Sequence, residues 1–225
     1  MSELNISASY QNYLKTIWTL SEWSKTPVTA SEIAQRAGVK ISSASDAIKR
    51  LKAQGLVVHT PYGAVSLTPA GKRIAIEVVR RHRLIETYLV EELGYTWDQV
   101  HAEADNLEHY VSEFFIAKID EKLGFPTADP HGDPIPNDAG KIEKHPLRRL
   151  TEIDAGATVV VKRVFDEDAQ LLQYFASQGV ELGSELTVKG SHPYAEATEF
   201  ETASGKIITL GKVATDAVLV AQHES

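Results

Sequence analysis

Between residues 29 and 68 the chain spells two short helices and a hairpin, and this run constrains the fold more than any other feature. Thr29-Ala-Ser-Glu32 has the spacing of a capping box, in which a hydroxyl and a carboxylate each satisfy a backbone N–H at a helix start. The helix it opens runs to Ala37, and Gly38 supplies the closing turn. A second helix follows at once: Ser42 or Ser43 is placed to cap it, Ala44, Ala47, Ile48 and Leu51 form its apolar face, and Gly55 ends it. Leu56 to Thr60 and Ala64 to Thr68 read as two strands joined by the turn Pro61-Tyr62-Gly63. Ahead of these, Ser9 to Trp23 carries Tyr10, Tyr13, Leu14, Ile17, Trp18 and Leu20 at helical spacing, and Pro27 closes that helix. The pattern predicts a winged helix-turn-helix over residues 1–72.

Thr68-Pro69 then starts a long helix, with a cap and a first-turn proline, that runs from Ala70 to Leu93 and stops at Gly94. A further helix is expected from Trp97 to about Leu123, and the Pro-, Gly- and Asp-rich stretch from Gly124 to Lys144 reads as an ordered loop leading into a linker. From Leu150 the period changes. Thr158–Val164, Glu185–Lys189, Thr198–Thr202, Lys206–Leu210 and Ala217–Ala221 are strand-like, and a helix lies around Gln170 to Ser177. The expected fold class is therefore α+β and multidomain. A helical domain over 73–140 and a linker over 141–149 separate the winged helix from a small β-barrel over 150–225.

The chain has no cysteine, which excludes disulfides, zinc-thiolate sites and thiol catalysis, so any metal must be held by oxygen and nitrogen. There is no apolar run of membrane-spanning length and no secretory start, so the expected place is the cytoplasm, without a membrane partner. The net charge of -8 argues against a nucleic-acid partner until it is divided along the chain. Residues 1–72 hold eight basic residues (Lys15, Lys25, Arg36, Lys40, Lys49, Arg50, Lys52, Lys72) against four acids (Glu3, Glu22, Glu32, Asp46), a net of about +4 that leaves about -12 elsewhere. In a winged helix the second helix of the pair enters the major groove and the hairpin touches the backbone or minor groove. Lys40, Ser42, Ser43, Ser45, Lys49, Arg50 and Tyr62 are the candidate DNA contacts. The hydroxyls allow close approach and the cations neutralise phosphates.

Chemistry of a second kind lies in His101-Ala-Glu-Ala-Asp105-Asn-Leu-Glu108-His109, where offsets of three and four bring His101, Asp105, Glu108 and His109 over adjoining turns. His82 and Glu86, also four apart, stand on the preceding helix. Such pairs are commonly solvated charge pairs. Six imidazole and carboxylate groups without sulfur also suit a first-row divalent ion such as Mn²⁺ or Fe²⁺.

The order of parts and the stretches Tyr13-Leu-Lys-Thr-Ile-Trp18, Arg81-His82-Arg-Leu-Ile-Glu86, His101 to His109 and Phe125 to Pro136 resemble the diphtheria toxin repressor family of metal-dependent regulators, and especially its manganese-responsive branch. The resemblance covers nearly the whole chain. It implies a homodimer formed through the helical domain, repression at palindromic operators in double-stranded DNA of metal-homeostasis genes, a C-terminal SH3-like domain of the FeoA type, and two metal sites per subunit. It places His82, Glu86 and His101 at an ancillary site and Glu108 and His109 at a primary, activating one. Asp105 falls where iron-responsive members have a cysteine, and a hard ligand there favours Mn²⁺ over Fe²⁺. Asn12 stands where the family carries Met or Asp, with Gln11 as the substitute, and its neutral amide is a weaker ligand than a carboxylate. Asp168, Glu167 and Gln170 are the candidates for completing the ancillary site. The expectation is a DNA-binding repressor and not an enzyme. The alternatives are an iron-responsive regulator of the same family and a metal-dependent hydrolase, for which the chain offers no nucleophile motif or phosphate-cradling loop.

Overall fold

The capping box forms as its spacing predicts: Thr29 Oγ1 accepts from Glu32 N at 3.3 Å, and the Glu32 carboxylate accepts from Thr29 N at 2.7 Å. A cap of this kind stabilises a helix by about 1 kcal/mol. In the computed structural model, which describes residues 6–23, 26–60, 63–143, 146–166, 168–192, 194 and 196–222, the described residues fall into two compact units. The first comprises residues 1–82, 108–111 and 136–141, and the second 83–107, 112–135 and 142–225.

In the first unit, α1 (Ala8–Glu22) is followed by α2 (Ala30–Arg36) and α3 (Ile41–Ala53), then by β1 (Val57–His59) and β2 (Val65–Leu67), and by the opening turns of α4 (Pro69–Leu93). The strands pair antiparallel with Val57 opposite Leu67 and His59 opposite Val65. Leu14, Ile17, Ile33, Ala44, Ile48, Leu51, Leu56 and Val65 are buried in one core, so each helix presents the apolar stripe read from its period. Gly38 has φ +63°, the left-handed conformation that ends α2. Ser42 and Ser43 do not cap α3: the cap position is Lys40, which makes no side-chain cap bond, and both serines are left exposed in the first turn. At the start of α4, Thr68 Oγ1 accepts from Gly71 N at 3.1 Å. Gly71 is required there, since a Cβ would lie 2.0 Å from Leu56 O. Pro61 and Tyr62, at the hairpin tip, lie outside the described residues, as does Glu167.

The second unit contains the rest of α4, then α5 (Val100–Leu107) and α6 (Glu113–Lys122). The single helix expected from Trp97 to Leu123 is therefore two. Glu108 to Val111 belong to the first unit, and α6 restarts on a cap of its own, Ser112 Oγ accepting from Phe115 N at 3.2 Å. After the loop come β3 (Arg148–Arg149), β4 (Thr158–Val164), α7 (Ala169–Gln178), β5 (Glu185–His192), β6 (Ala197–Thr202), β7 (Ile207–Gly211), α8 (Lys212–Asp216) and β8 (Val218–Gln222). All five expected strands form. With β3, which was not expected, they make one six-stranded antiparallel sheet ordered β3-β8-β4-β5-β6-β7, packed around Val159, Val161, Leu172, Phe175, Leu186, Phe200, Leu210 and Val218. A bulge between Val188 and Gly190 adds local bend. No described helix is long and apolar enough to cross a membrane.

Candidate metal centres and nucleic-acid interface

In the first unit, α1 turns Gln11, Asn12 and Lys15 away from its buried Leu14 and Ile17. Asn12 Oδ1 lies 2.5 Å from His109 Nε2, and Gln11 Oε1 3.0 Å from His109 Nδ1, so both of the amides considered for this position face the same imidazole. Glu108 is fully buried and has two different neighbourhoods. Its Oε1 is 3.2 Å from His109 Nε2, whereas Oε2 is 2.6 Å from His82 Nδ1 and 2.8 Å from Lys15 Nζ. Burial alone would raise the carboxyl pKa, but hydrogen bonds from His109 and His82 and the charges of His82 and Lys15 hold it well below the usual carboxylate range. His82, expected beside Glu86 and His101, is thus also engaged with Glu108.

A second cluster forms in the second unit around Glu86, which α4 buries completely. His101 Nδ1, from α5, is 3.2 Å from Glu86 Oε1 and 3.0 Å from Asp166 Oδ2, just beyond β4. Burial opposes the protonated imidazole, but the hydrogen bonds to Asp166 and Glu86 outweigh it and push His101 up to about 10. Asp105 sits exposed on α5 with Oδ2 3.9 Å from His101 Nε2.

The stretch expected as an ordered loop leading into a linker supplies the rest. His131 is fully buried, and its Nε2 donates to the Trp97 carbonyl at 2.7 Å while the Trp97 ring stacks on it. A carbonyl can only accept, so Nε2 carries the proton, and Nδ1 is left 3.9 Å from Glu86 Oε2 and 4.0 Å from Asp166 Oδ2. Burial and the Asp133 and Glu86 carboxylates push Asp129 up. Its Oδ1 accepts from the backbone of His131 and Asp133, both at 2.9 Å, which shapes the loop.

Behind these groups, Asp133 Oδ1 accepts from Arg163 Nε at 2.7 Å and Arg83 Nη2 at 3.3 Å. Gly132, at φ +88°, presses so close to β4 that a Cβ would lie 2.0 Å from Lys162 O. Neither Asp129, His131, Asp133 nor Asp166 was singled out from the sequence. The available signal was Asp129-Pro-His-Gly-Asp133, ligand types alternating in a run too rich in Pro and Gly for a helix.

The residue near the barrel that faces His101 is Asp166. Asp168, the expected one, is exposed and caps α7, its Oδ1 accepting from Gln170 N at 2.9 Å and Leu171 N at 3.2 Å. That oxygen is engaged at the helix start, and Gln170 lies in the first turn with its backbone on the cap.

Both clusters fit a divalent ion. All donors are oxygen or imidazole nitrogen, and donor atoms of Glu86, Asp129 and His131 lie within 4.8 Å of one another. The His131 Nδ1 atom is buried without a hydrogen-bond partner among the described residues, an expensive arrangement that a bound cation relieves.

On α3 and its cap, Lys40, Ser42, Ser43, Ser45, Lys49 and Arg50 are all exposed, while Ala44, Ala47, Ile48 and Leu51 are buried. Arg50 Nη1 reaches the Tyr10 hydroxyl at 3.5 Å. The polar face is the one free for a groove.

Comparison with known proteins agrees with this division of labour. A family model described as the iron dependent repressor N-terminal DNA binding domain matches residues 5–65, that of the iron dependent repressor metal binding and dimerisation domain matches 68–137, and a FeoA domain matches 148–222. The iron-dependent repressor IdeR of Mycobacterium leprae (strain TN) is 34% identical over 206 residues, covering 88% of this chain and 86% of its own. Among solved structures, a manganese-dependent transcriptional repressor in complex with manganese superposes with a TM-score of 0.91 at 48% identity, covering 95% of this chain and 100% of that one. The manganese regulator SloR superposes with a TM-score of 0.80 at 29% identity over 95% and 98%.

Proposed function

As the chain belongs to the diphtheria toxin repressor family of DNA-binding, metal-dependent transcriptional repressors, we propose that it is manganese-responsive and binds palindromic operators as a homodimer when loaded with Mn²⁺. The observation that carries the metal is the set of sulfur-free donors around Glu86, with Asp129 and His131 on one side of it and His101 and Asp166 on the other. Such a set favours a hard ion of manganese type over zinc. The 48% identity to a manganese-dependent repressor supports the same choice. Two sites per subunit are proposed, this cluster and the one formed by Asn12, Glu108, His109 and His82, to which Asp105 is assigned from its place in the sequence. A bound ion supplies the positive charge that both sets of buried carboxylates call for.

The chain's own residues do the rest. Asn12 and Gln11 hold α1 to His109, which fixes α1 against the residues after α5. The core that packs α1 on α2 and α3 carries that constraint to the exposed face of α3. Binding of metal and of DNA then reinforce each other reciprocally. Lys40, Lys49 and Arg50 take phosphates, and Ser42, Ser43 and Ser45 approach base edges. Phe114 and Phe115 on α6 are 74% and 47% exposed, an apolar surface suited to the dimer contact.

Titration of Mn²⁺, Fe²⁺ and Zn²⁺ into chelator-stripped protein, with anisotropy of a DNA fragment selected from a random pool by the Mn²⁺-loaded protein, tests this reading. Binding driven by Mn²⁺ at lower concentration than by Fe²⁺ is expected. DNA binding indifferent to the chelator overturns the metal switch, and activation by Fe²⁺ alone replaces manganese with iron.

A further inference from the structure

Lys15 stands one helical turn after Gln11 on the face of α1 that meets Glu108. Its ammonium is 2.8 Å from Glu108 Oε2 and 3.1 Å from His82 Nδ1, and those two atoms are 2.6 Å apart. The lysine side chain retains 14% of its surface exposure, whereas Glu108 has none. One carboxylate therefore faces two ways: Oε1 toward the His109 imidazole, which also contacts Asn12, and Oε2 toward a cation that the chain itself provides.

We propose that Lys15 is a tethered competitor for the metal, a cation that occupies Glu108 Oε2 beside His82 Nδ1 and must withdraw for a divalent ion to use that oxygen. This rests on the reading of Glu108 and His82 as metal ligands. An ammonium and a dication cannot share one carboxylate oxygen in a poorly hydrated site, because like charges at that distance repel strongly. Lysine is suited to leaving: its charge sits on a flexible stem, and its partial exposure gives a way to water. The tether also discriminates by charge. A monovalent ion gains nothing over an ammonium already in place, whereas a dication gains twice the attraction to the same carboxylate.

The exchange has two consequences of opposite sign. Lys15 stabilises the chain when no divalent ion is bound, by compensating a buried carboxylate. It also weakens the divalent ion's hold, so it sets the metal concentration at which α1 is recruited. A lysine that only supported the fold would produce the first effect without the second.

The test uses full-length protein carrying Glu86→Gln to silence the second cluster, stripped with chelator and titrated with Mn²⁺ while free Mn²⁺ is read by electron paramagnetic resonance. Lys15→Met is expected to bind Mn²⁺ at least about ten-fold more tightly, a gain of about 1.4 kcal/mol, while its melting midpoint without metal falls. Lys15→Gln, which keeps a hydrogen-bond donor without the charge, should move both readouts the same way, and serves if the methionine variant does not fold. Lys15→Arg, which keeps the charge, should restore binding close to that of lysine. If both neutral variants bind Mn²⁺ no more tightly than lysine while Glu108→Gln abolishes binding, the tethered competitor is refuted and the metal site stands. If Glu108→Gln leaves binding unchanged, the site assignment fails and the proposal falls with it.

Discussion

Replacing Asp133 by alanine should unfold the second unit more readily, and the structure sets the size of the effect. The carboxylate is 5% exposed and joins Arg163 at 2.7 Å to Arg83 at 3.3 Å, two guanidiniums that are themselves 5% and 6% exposed. Arginine cannot shed its proton to escape, so removing the acid leaves both cations buried with less compensation. Breaking a buried ion pair by deleting one partner costs roughly 3–5 kcal/mol. The low end is expected here. Arg83 keeps a hydrogen bond to Pro134 O and the Asp129 carboxylate at 3.8 Å, and Arg163 keeps the Phe165 ring at 4.0 Å. The expected loss is about 3 kcal/mol, a large part of the roughly 5–15 kcal/mol that holds a domain. Urea denaturation followed by Trp97 fluorescence measures it without adding salt, with Trp18 and Trp23 replaced by Phe. Asp133→Asn, which keeps an acceptor but not the charge, should lose less than the alanine variant. A loss below about 1 kcal/mol for Asp133→Ala would refute the argument, because it would mean that the network is solvated like a surface pair.

Gly132→Ala should lower Mn²⁺ affinity at the Glu86 cluster and stability together, since the backbone at φ +88° disfavours a side chain and a Cβ would meet Lys162 O at 2.0 Å; an unchanged variant by calorimetry would show that the loop is not pressed on β4. Asp166→Ala should weaken Mn²⁺ binding at least about ten-fold, whereas Asp168→Ala should cost only about 1 kcal/mol of stability through the lost helix cap and leave the ion's affinity unchanged. Metal titration and urea melts of both variants decide this, and the reverse pattern would restore Asp168 as the ligand. His101 gives a pH dependence whose sign is fixed: its folded pKa is raised from 6.5 to about 10, so its stabilisation is complete below pH 6.5 and is lost as pH climbs toward 10. A divalent ion that takes this imidazole must displace the proton, so Mn²⁺ affinity should rise through the same window, with proton release visible as a buffer-dependent binding enthalpy. An enthalpy independent of buffer would remove His101 from the ligand set.

What could be read from the sequence was what local rules encode. The capping box at Thr29, the left-handed Gly38 and the alternating strands of the barrel depend on neighbours a few residues apart, and they formed where they were expected. The break between α5 and α6 was hidden because apolar spacing runs on across it, and only Ser112, a cap in waiting, marks the restart. The second cluster was harder. Residues 86, 101, 131 and 166 come from a helix, another helix, a loop and the segment just after a strand, and no period relates them. Asp168, directly before the helical run from Ala169, has the position of an N-cap, and its Oδ1 accepts from the backbone N–H groups of Gln170 and Leu171. Asp166, two residues earlier, is not that cap and faces His101 instead.

The two clusters meet one electrostatic demand with different internal cations. A carboxylate removed from water must be compensated, or the fold loses several kcal/mol. Glu108 is compensated by a tethered ammonium, Lys15, and by imidazoles. Glu86 and Asp166 are compensated by His101, which holds its proton past neutrality, while Asp129 and Asp133 lean on the fixed guanidiniums of Arg83 and Arg163. Replacing a tethered ammonium moves a side chain of α1 and so reaches the DNA-binding unit, whereas replacing a proton moves nothing heavier than hydrogen. On the proposed site assignment, the Glu108 cluster would convert metal binding into a change of α1, and the Glu86 cluster would hold its ion with an affinity that follows pH. Substitution at Lys15 should therefore alter the metal threshold without altering proton release at the Glu86 cluster, and substitution at His101 should do the reverse.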